Sequence, residues 1–558
     1  MSVFQFGWHD RLWFYVASCV VFYFFSAASI LVLAILARSR LRQVTLWKLP
    51  GPPSVSIITG NFTQMFDFDA RRFHERLRKS YGRVIRIAGL LGDSHLVISD
   101  TRAVYNILVK EHAAFETPEW LLASNARNFG LSLLSIKGPI HRKQRKLLHP
   151  VFSVEHLRSL APLFHKVTQG LVANLQETVS EGPKDINILA SLEYLALELI
   201  AQGGLGYTFD SFRPDREENE FDTAIKEYMP TVARLHVLRM LAHWIPNWPP
   251  SVLRLVANIL PIPALHNLMR ISGTIDKYTT AIFDEKKALF NKGDDEFTHQ
   301  LSEGKDIISV LMRQNLTAPR EDQLSDAEIK GQMATFIFAA TETTSSALAR
   351  ILSLLADHQD VQDRLRQEIY HARESAGGKE LEYEELDKLP YLDAVCHETL
   401  RAHSPATYIP KSCREDIVLP LAHPVLTSDG PISTLFVPRG TSVLVDVTGI
   451  NRDPTIWGAD ADEWKPERFL SPLPDSVGGA QIPGVYSNIV SFGAGARSCI
   501  GFKFALLEMK ITLSYLVGSF RFLPSKTEIV WRYGGITTPA VKGSNAVGTA
   551  MPMVVESI

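Results

Sequence analysis

Cys499 lies in the stretch Phe492-Gly-Ala-Gly495-Ala-Arg497-Ser-Cys499-Ile-Gly501, whose residue types and spacing could bind a metal. A thiolate is a soft ligand able to hold iron, the glycines before it let backbone N–H groups turn toward the sulfur, and the rigid fork of Arg497 matches a carboxylate. The alternative is a buried structural thiol, the usual fate of a lone cysteine. The pattern Phe-x-x-Gly-x-Arg-x-Cys-x-Gly constrains every second or third residue, and at average residue frequencies a chance match in a chain this long is on the order of one in ten thousand. The ligand reading is therefore the better one.

Other constellations accompany it. Ala339-Ala340-Thr341-Glu342-Thr343-Thr344 places an acid and hydroxyls inside an otherwise apolar run. Buried groups of that kind need partners or a function, and the competing reading is hydroxyls bonded back to their own helix. His141-Arg142-Lys143-Gln144-Arg145 is a basic turn that could be either a ligand-facing cluster or a solvated helix face, and Glu398-x-x-Arg401 is an i,i+3 pair on one helix face.

These motifs, with Pro466-Glu467-Arg468-Phe469 and in this order along the chain, resemble the cytochrome P-450 monooxygenases. The resemblance implies a mainly α fold with a small β region, the haem-thiolate architecture, preceded here by one N-terminal transmembrane helix. It implies haem b (iron protoporphyrin IX) with Cys499 as axial ligand, Phe492 packing in the ligand loop, and Arg497, His141 and Arg145 on the propionates. Thr343 and Glu342 become the catalytic pair that manages protons, and Glu398, Arg401 and Arg468 a buried scaffold. Ala340 stands where the family usually has glycine, and Tyr408 falls near a position where many members place another propionate-binding arginine, which this chain is expected to do without. The implied reaction is hydroxylation or epoxidation of an apolar small molecule, a terpenoid or other secondary metabolite, with NADPH used indirectly through a flavoprotein reductase. Retention of Glu342 and Thr343 argues against a reductase-independent isomerase or dehydratase. A non-enzymatic membrane haem protein is the third reading.

The elements that must position these residues can also be read. From Leu12 to Ala37 no residue is charged, so a helix there would be about 39 Å long, enough to cross a bilayer core of about 30 Å. The run is too long for a signal peptide, and Arg38, Arg40, Arg42 and Lys48 follow it, which predicts a single-pass anchor in the endoplasmic reticulum membrane with a cytosolic body. The expected divisions are 1–11 lumenal, 12–37 anchor, 38–53 basic and proline-rich hinge, and 54–558 catalytic haem domain. Sequons at Asn61 and Asn315 are then expected to be unoccupied.

With 58 basic and 60 acidic side chains there is no electrostatic footprint for nucleic acid, and four cysteines without paired spacing suggest neither zinc nor a disulfide scaffold. Residues 84–87 and 95–99 read as a hairpin, Ser153–Val179 and Leu189–Gln202 as helices, and 305–314 as a short helix within a polar connection. Ser325-x-x-Glu328 is a capping box opening a helix to about Asp357. Pocket walls are expected at Leu121–Leu134, Phe336–Thr344, Ala406–Ile409 and Ile536–Thr538, with Thr or Tyr orienting the substrate. Trp244 to Leu260 suits either a membrane-dipping segment or a core helix pair.

Overall fold

A computed structural model describes residues 43–212, 220–245, 248, 250–291, 305–533, 535–544 and 548–558. The anchor expected at 12–37 lies outside the described residues. Helices of ten residues or more are α1 Arg71–Tyr81, α2 Glu119–Phe129, α3 Gly138–Leu148, α4 Val154–Thr178, α5 Ile188–Ile200, α6 Glu220–Arg234, α7 Pro250–Ile259, α8 Pro263–Asn291, α9 Ile307–Thr317, α10 Asp326–Asp357, α11 Gln359–Ser375, α12 Pro390–Ala402 and α13 Phe502–Ser519. Strands β1 Val84–Ala88, β2 Ser94–Ile98, β3 Phe115–Glu116, β5 Tyr408–Cys413 and β8 Ser442–Asp446 form one sheet in the order β1-β2-β8-β5-β3. Smaller sheets pair β4 Lys184–Asn187 with β12 Pro552–Ser557 and β9 Phe520–Pro524, β6 Ile417–Thr427 with β7 Gly430–Val437, and β10 Ile529–Tyr533 with β11 Thr537–Val541. The predicted hairpin is β1–β2, antiparallel with Val84 opposite Ile98.

The central element is α10. Its capping box forms as the sequence predicts, the Glu328 N–H donating to Ser325 Oγ and the Ser325 N–H to the Glu328 carboxylate at 2.9 Å. It packs against α5, α12 and α13 in one large apolar core. Gly331 is needed because a Cβ there would stand 2.4 Å from the Leu131 carbonyl oxygen. A polar ladder seals the same contact: Gln332 accepts from the Leu133 N–H and donates to Gln144 of α3, which donates to Glu328. The 130–137 loop is thereby fixed against α10.

An apolar stretch long enough to cross a bilayer, Ile188–Leu205, is found among the described residues, and it is mostly buried between other helices as a core element. Burial of α5 on all sides removes the need for a polar face.

Behind the ligand loop, Arg401 and Glu398 are both fully buried and joined by two hydrogen bonds of 2.6 and 2.7 Å. Arg468 donates to the same carboxylate at 3.4 Å and to Asp460 and the Trp457 carbonyl. Arg401 also donates to the carbonyls of Asn451, Ala461 and Glu463. Every polar hydrogen of this network is answered, as a buried ion pair requires. Glu398→Gln removes the counter-charge of a fully buried guanidinium and should cost about 3–5 kcal/mol. Thermal unfolding should show a lowered midpoint; an unchanged midpoint would contradict the scaffold role.

Candidate active site

The ligand loop is built by tight turns. Gly493 and Gly495 adopt φ of +69° and +66°, and a Cβ on Gly495 would lie 2.1 Å from the Leu108 carbonyl oxygen. Leu108 belongs to a wide π turn, Asn106–Lys110, so that carbonyl is pressed directly onto the loop. The Cys499 N–H donates to the Phe492 carbonyl at 2.8 Å, and α13 starts just after Gly501. The Phe492 ring lies 6.0 Å from those of Tyr486 and Phe502, bracing the loop on both sides. Burial pushes the Cys499 thiol up, while the Gly501 N–H and the charge of Arg145 pull toward the thiolate. The residue nonetheless retains accessible surface. Both hold for a side chain opening onto internal space, as a ligand to a buried prosthetic group must.

Around it the structure gathers cations. Arg145 of α3 donates to the Ser498 carbonyl and hydroxyl at 2.7 and 3.0 Å. Arg497 pairs with Glu116 at 2.6 Å and donates to the Leu133 and Ile136 carbonyls of the 130–137 loop. His141 is buried on α3, and desolvation together with Arg497 and Arg145 brings its pKa down to about 4, so it is a neutral imidazole at pH 7. Burial raises the Glu116 carboxyl, yet its hydrogen bond and charge contact with Arg497 bring it below the usual range.

Strand β5 carries no arginine, as expected, but it contributes a lysine that the sequence motifs did not single out. Lys411 of β5 is buried beside Arg497 and Glu116, and desolvation followed by Arg497 lowers its pKa to about 8, which leaves it mainly charged at pH 7. Tyr408, three residues earlier, has the opposite strand orientation: it packs against His74 and interacts with Arg78. It therefore does not orient a substrate. Only the strand register of β5, set by its pairing to β8, distinguishes the two positions.

Arg145, Arg497 and Lys411 against the single carboxylate of Glu116 leave two uncompensated positive charges beside the cysteine. Two propionates would balance them, so the residues present fit haem b: Cys499 as metal ligand, with Arg145, Arg497, Lys411 and the neutral N–H of His141 available to the carboxylates.

Thr343 and Glu342 are adjacent on α10 but face different ways. Thr343 is half-buried with Phe338, Ala339 and Ala340, and its hydroxyl donates to the Ala339 carbonyl at 2.7 Å. That is the back-bonded geometry, which leaves the oxygen able to accept a second hydrogen bond. Glu342 instead turns toward α5 and α6, lining a one-water cavity with Glu193, Asp222 and Lys226. Desolvation and the Glu193 charge raise its pKa well above the ordinary carboxylate value. Aromatic residues pack together on the same side of the fold: Phe338 stacks on Phe129 at 4.9 Å and meets Tyr228 edge-on at 4.9 Å, Tyr228 lying close enough to Glu342 to feel its charge. Ala406 bridges to Ile536, joining two of the predicted wall segments. Composition had signalled an apolar wall, but Tyr228 was beyond its reach because α6 is brought there by tertiary packing.

Of the two readings of 244–260, the described residues do not form a buried core pair. Val252, Leu255, Val256 and Ile259 fall on one face of α7 and are exposed, Leu255 by 63% and Ile259 by 73%, as are Trp244 and Trp248. Both sequons are closed by the fold. The Asn61 side chain donates to the Pro53 carbonyl and accepts from Ala88, while that of Asn315 donates to the Leu324 carbonyl and accepts from its N–H.

Comparison with known proteins agrees with this geometry. The family pattern described as Cytochrome P450 matches residues 50–543. Cytochrome P450 monooxygenase 91 of Postia placenta is 43% identical over 513 residues, covering 92% of this chain and 94% of the relative. Ganoderic acid synthetase CYP5150L8 of Ganoderma lucidum is 39% identical over 500 residues, 88% and 91% of the two chains. A cytochrome P450 monooxygenase of Hericium erinaceus, eriI, is 34% identical over 531 residues, 93% and 96%. With the cysteine loop, its cationic surroundings and a match over nearly the whole described body, this chain belongs to the cytochrome P450 family and is an oxidoreductase of the monooxygenase type.

Proposed function

We propose that the protein inserts one oxygen atom from O2 into an apolar secondary metabolite, by hydroxylation or epoxidation, with electrons from NADPH delivered by a separate flavoprotein reductase. The observation that carries this reading is Cys499 opening onto internal space beside two uncompensated positive charges. A relative named for ganoderic acid synthesis supports a metabolite of that kind, and the Phe129, Tyr228 and Phe338 wall supports an apolar terpenoid-like body. Haem b bound through Cys499 supplies the iron that activates dioxygen.

The chain's own residues then supply orientation and protons. Arg145, Arg497, Lys411 and His141 would hold the haem carboxylates, and the aromatic cluster would keep water from the substrate side. Thr343 presents its hydroxyl to the internal space. Glu342, whose carboxyl burial pushes well above the ordinary carboxylate range, lines the cavity shared with Glu193, Asp222 and Lys226, and because it faces away from Thr343 its proton reaches Thr343 Oγ1 by way of intervening water. Ala340 adds only a methyl at the turn where the family commonly has glycine.

In the same reading the body is cytosolic and held at the endoplasmic reticulum membrane by the 12–37 anchor. The apolar stripe of α7, with Trp244 and Trp248, rests in the bilayer surface. Because both sequon amides are engaged inside the fold, the absence of a glycan would not by itself report topology.

Two outcomes are expected. With full-length protein, reductase and NADPH in vesicles, Thr343→Ala should keep its haem and substrate-induced spectra but lower product per NADPH at least about tenfold, with the electrons recovered as hydrogen peroxide. Wild-type coupling in this variant would remove the proton-relay role, and turnover without NADPH would favour an isomerase. In vesicles whose acyl chains carry bromine, tryptophan quenching should fall in Trp244→Phe/Trp248→Phe. Equal quenching in variant and wild type would place the α7 face in water.

A further inference from the structure

A second cationic space lies between the C-terminal end of α10, the segment following α12, and the β10–β11 hairpin. Arg71, Arg350, Arg452 and His403 line it, together with Thr537. It holds about two water molecules. Arg71 and Arg452 each have a carboxylate, Glu75 at 2.9 Å and Asp462 at 2.7 Å. Arg350 has none among the described residues. Its guanidinium lies flat on the Trp531 ring, 3.2 Å from the centroid. The charges acting on it include Arg71 and Arg452 but no carboxylate, and desolvation with these charges takes its pKa well below the ordinary value. Desolvation and the same cations drive His403 well below its ordinary value, so the ring is neutral and adds no charge.

Thr537 supplies an independent observation. It is 91% buried, its N–H donates to the Pro405 carbonyl and its own carbonyl accepts from Ser346, yet its hydroxyl has no hydrogen-bond partner. A buried hydroxyl without a partner in a polar cavity marks a missing acceptor. One unbalanced guanidinium therefore borders a space the size of a single small ion, with one unanswered donor buried in its wall. Arg71, about half exposed, leaves a path to solvent.

We propose that this cavity is a binding site for one small monovalent anion, of chloride, bromide or formate size, held by Arg350 and Thr537. Its size excludes nucleotides and organic phosphates. A bound anion would tie α10, the Ser404–Thr407 segment and the β10–β11 hairpin together, elements whose other faces border the predicted substrate walls. The site is separate from the cations around Cys499, which have their own carboxylate in Glu116.

The test uses detergent-solubilised full-length holoprotein at constant ionic strength, with sodium gluconate replaced stepwise by chloride, bromide or formate. Gluconate is too large to enter. The wild-type melting midpoint should rise saturably by about 1–3 °C with no change in the Soret band, which separates this site from the haem. Arg350→Met should lose the response, and Thr537→Val should need higher anion concentrations. A bromide-soaked crystal should show anomalous density at the cavity. An identical response in wild type and Arg350→Met, or no saturable response to any of the three anions, would overturn the proposal. If Arg350→Met does not fold, an unaltered Thr537→Val response or the absence of bromide density decides against it.

Discussion

The Glu398–Arg401 ion pair is the constraint on which the active site depends, because it converts buried charge into position. Both side chains are fully buried, so neither can rely on water, and every free donor of Arg401 must find a carbonyl. Those carbonyls include Asn451, whose side chain donates to Ser491 and accepts from the Val490 N–H. Ser491 in turn donates to the Leu400 carbonyl of α12. The chain of bonds runs without a gap from a helix in the core to the residue before Phe492. A thiolate ligand has to be held at one place in a region that disfavours charge, and this network holds its loop through backbone geometry, with the Gly501 N–H directed at the sulfur itself.

A second principle operates across the site: cations are buried where an anion is to come. Beside Cys499 the surplus is two charges, matched to two propionates. Beside Trp531 it is one. The costs differ accordingly, since Arg145 and Arg497 are tied to carbonyls and Glu116, whereas Arg350 rests only on an aromatic face. Glu342 shows the reverse case, an acid whose pKa is pushed up by burial beside another acid, Glu193.

Local signals were readable in the chain. The capping box of α10 and the Glu398/Arg401 pair depend on residues three positions apart, and the β1–β2 hairpin on neighbouring strands joined by a short turn, so their geometry follows from local sterics. The cysteine loop was readable for the same reason, its glycines being forced by turns. Lys411 was not, because telling it from Tyr408 requires the register of a strand whose partner lies thirty residues away. The divergence of Thr343 and Glu342 is implicit in the helical period, but which side meets α5 is a packing outcome. The exposure of α7 was open for a related reason: an apolar helix face looks the same whether it meets a core or a membrane.

The central claim is that Cys499 is the axial ligand of a haem held in this fold. The most direct measurement is the absorption spectrum of the dithionite-reduced carbon monoxide complex of the purified full-length protein. Wild type should show the red-shifted Soret band of thiolate ligation, and Cys499→Ala should lose it. Persistence of that band in Cys499→Ala, or its absence from wild-type protein that retains haem, would contradict the account.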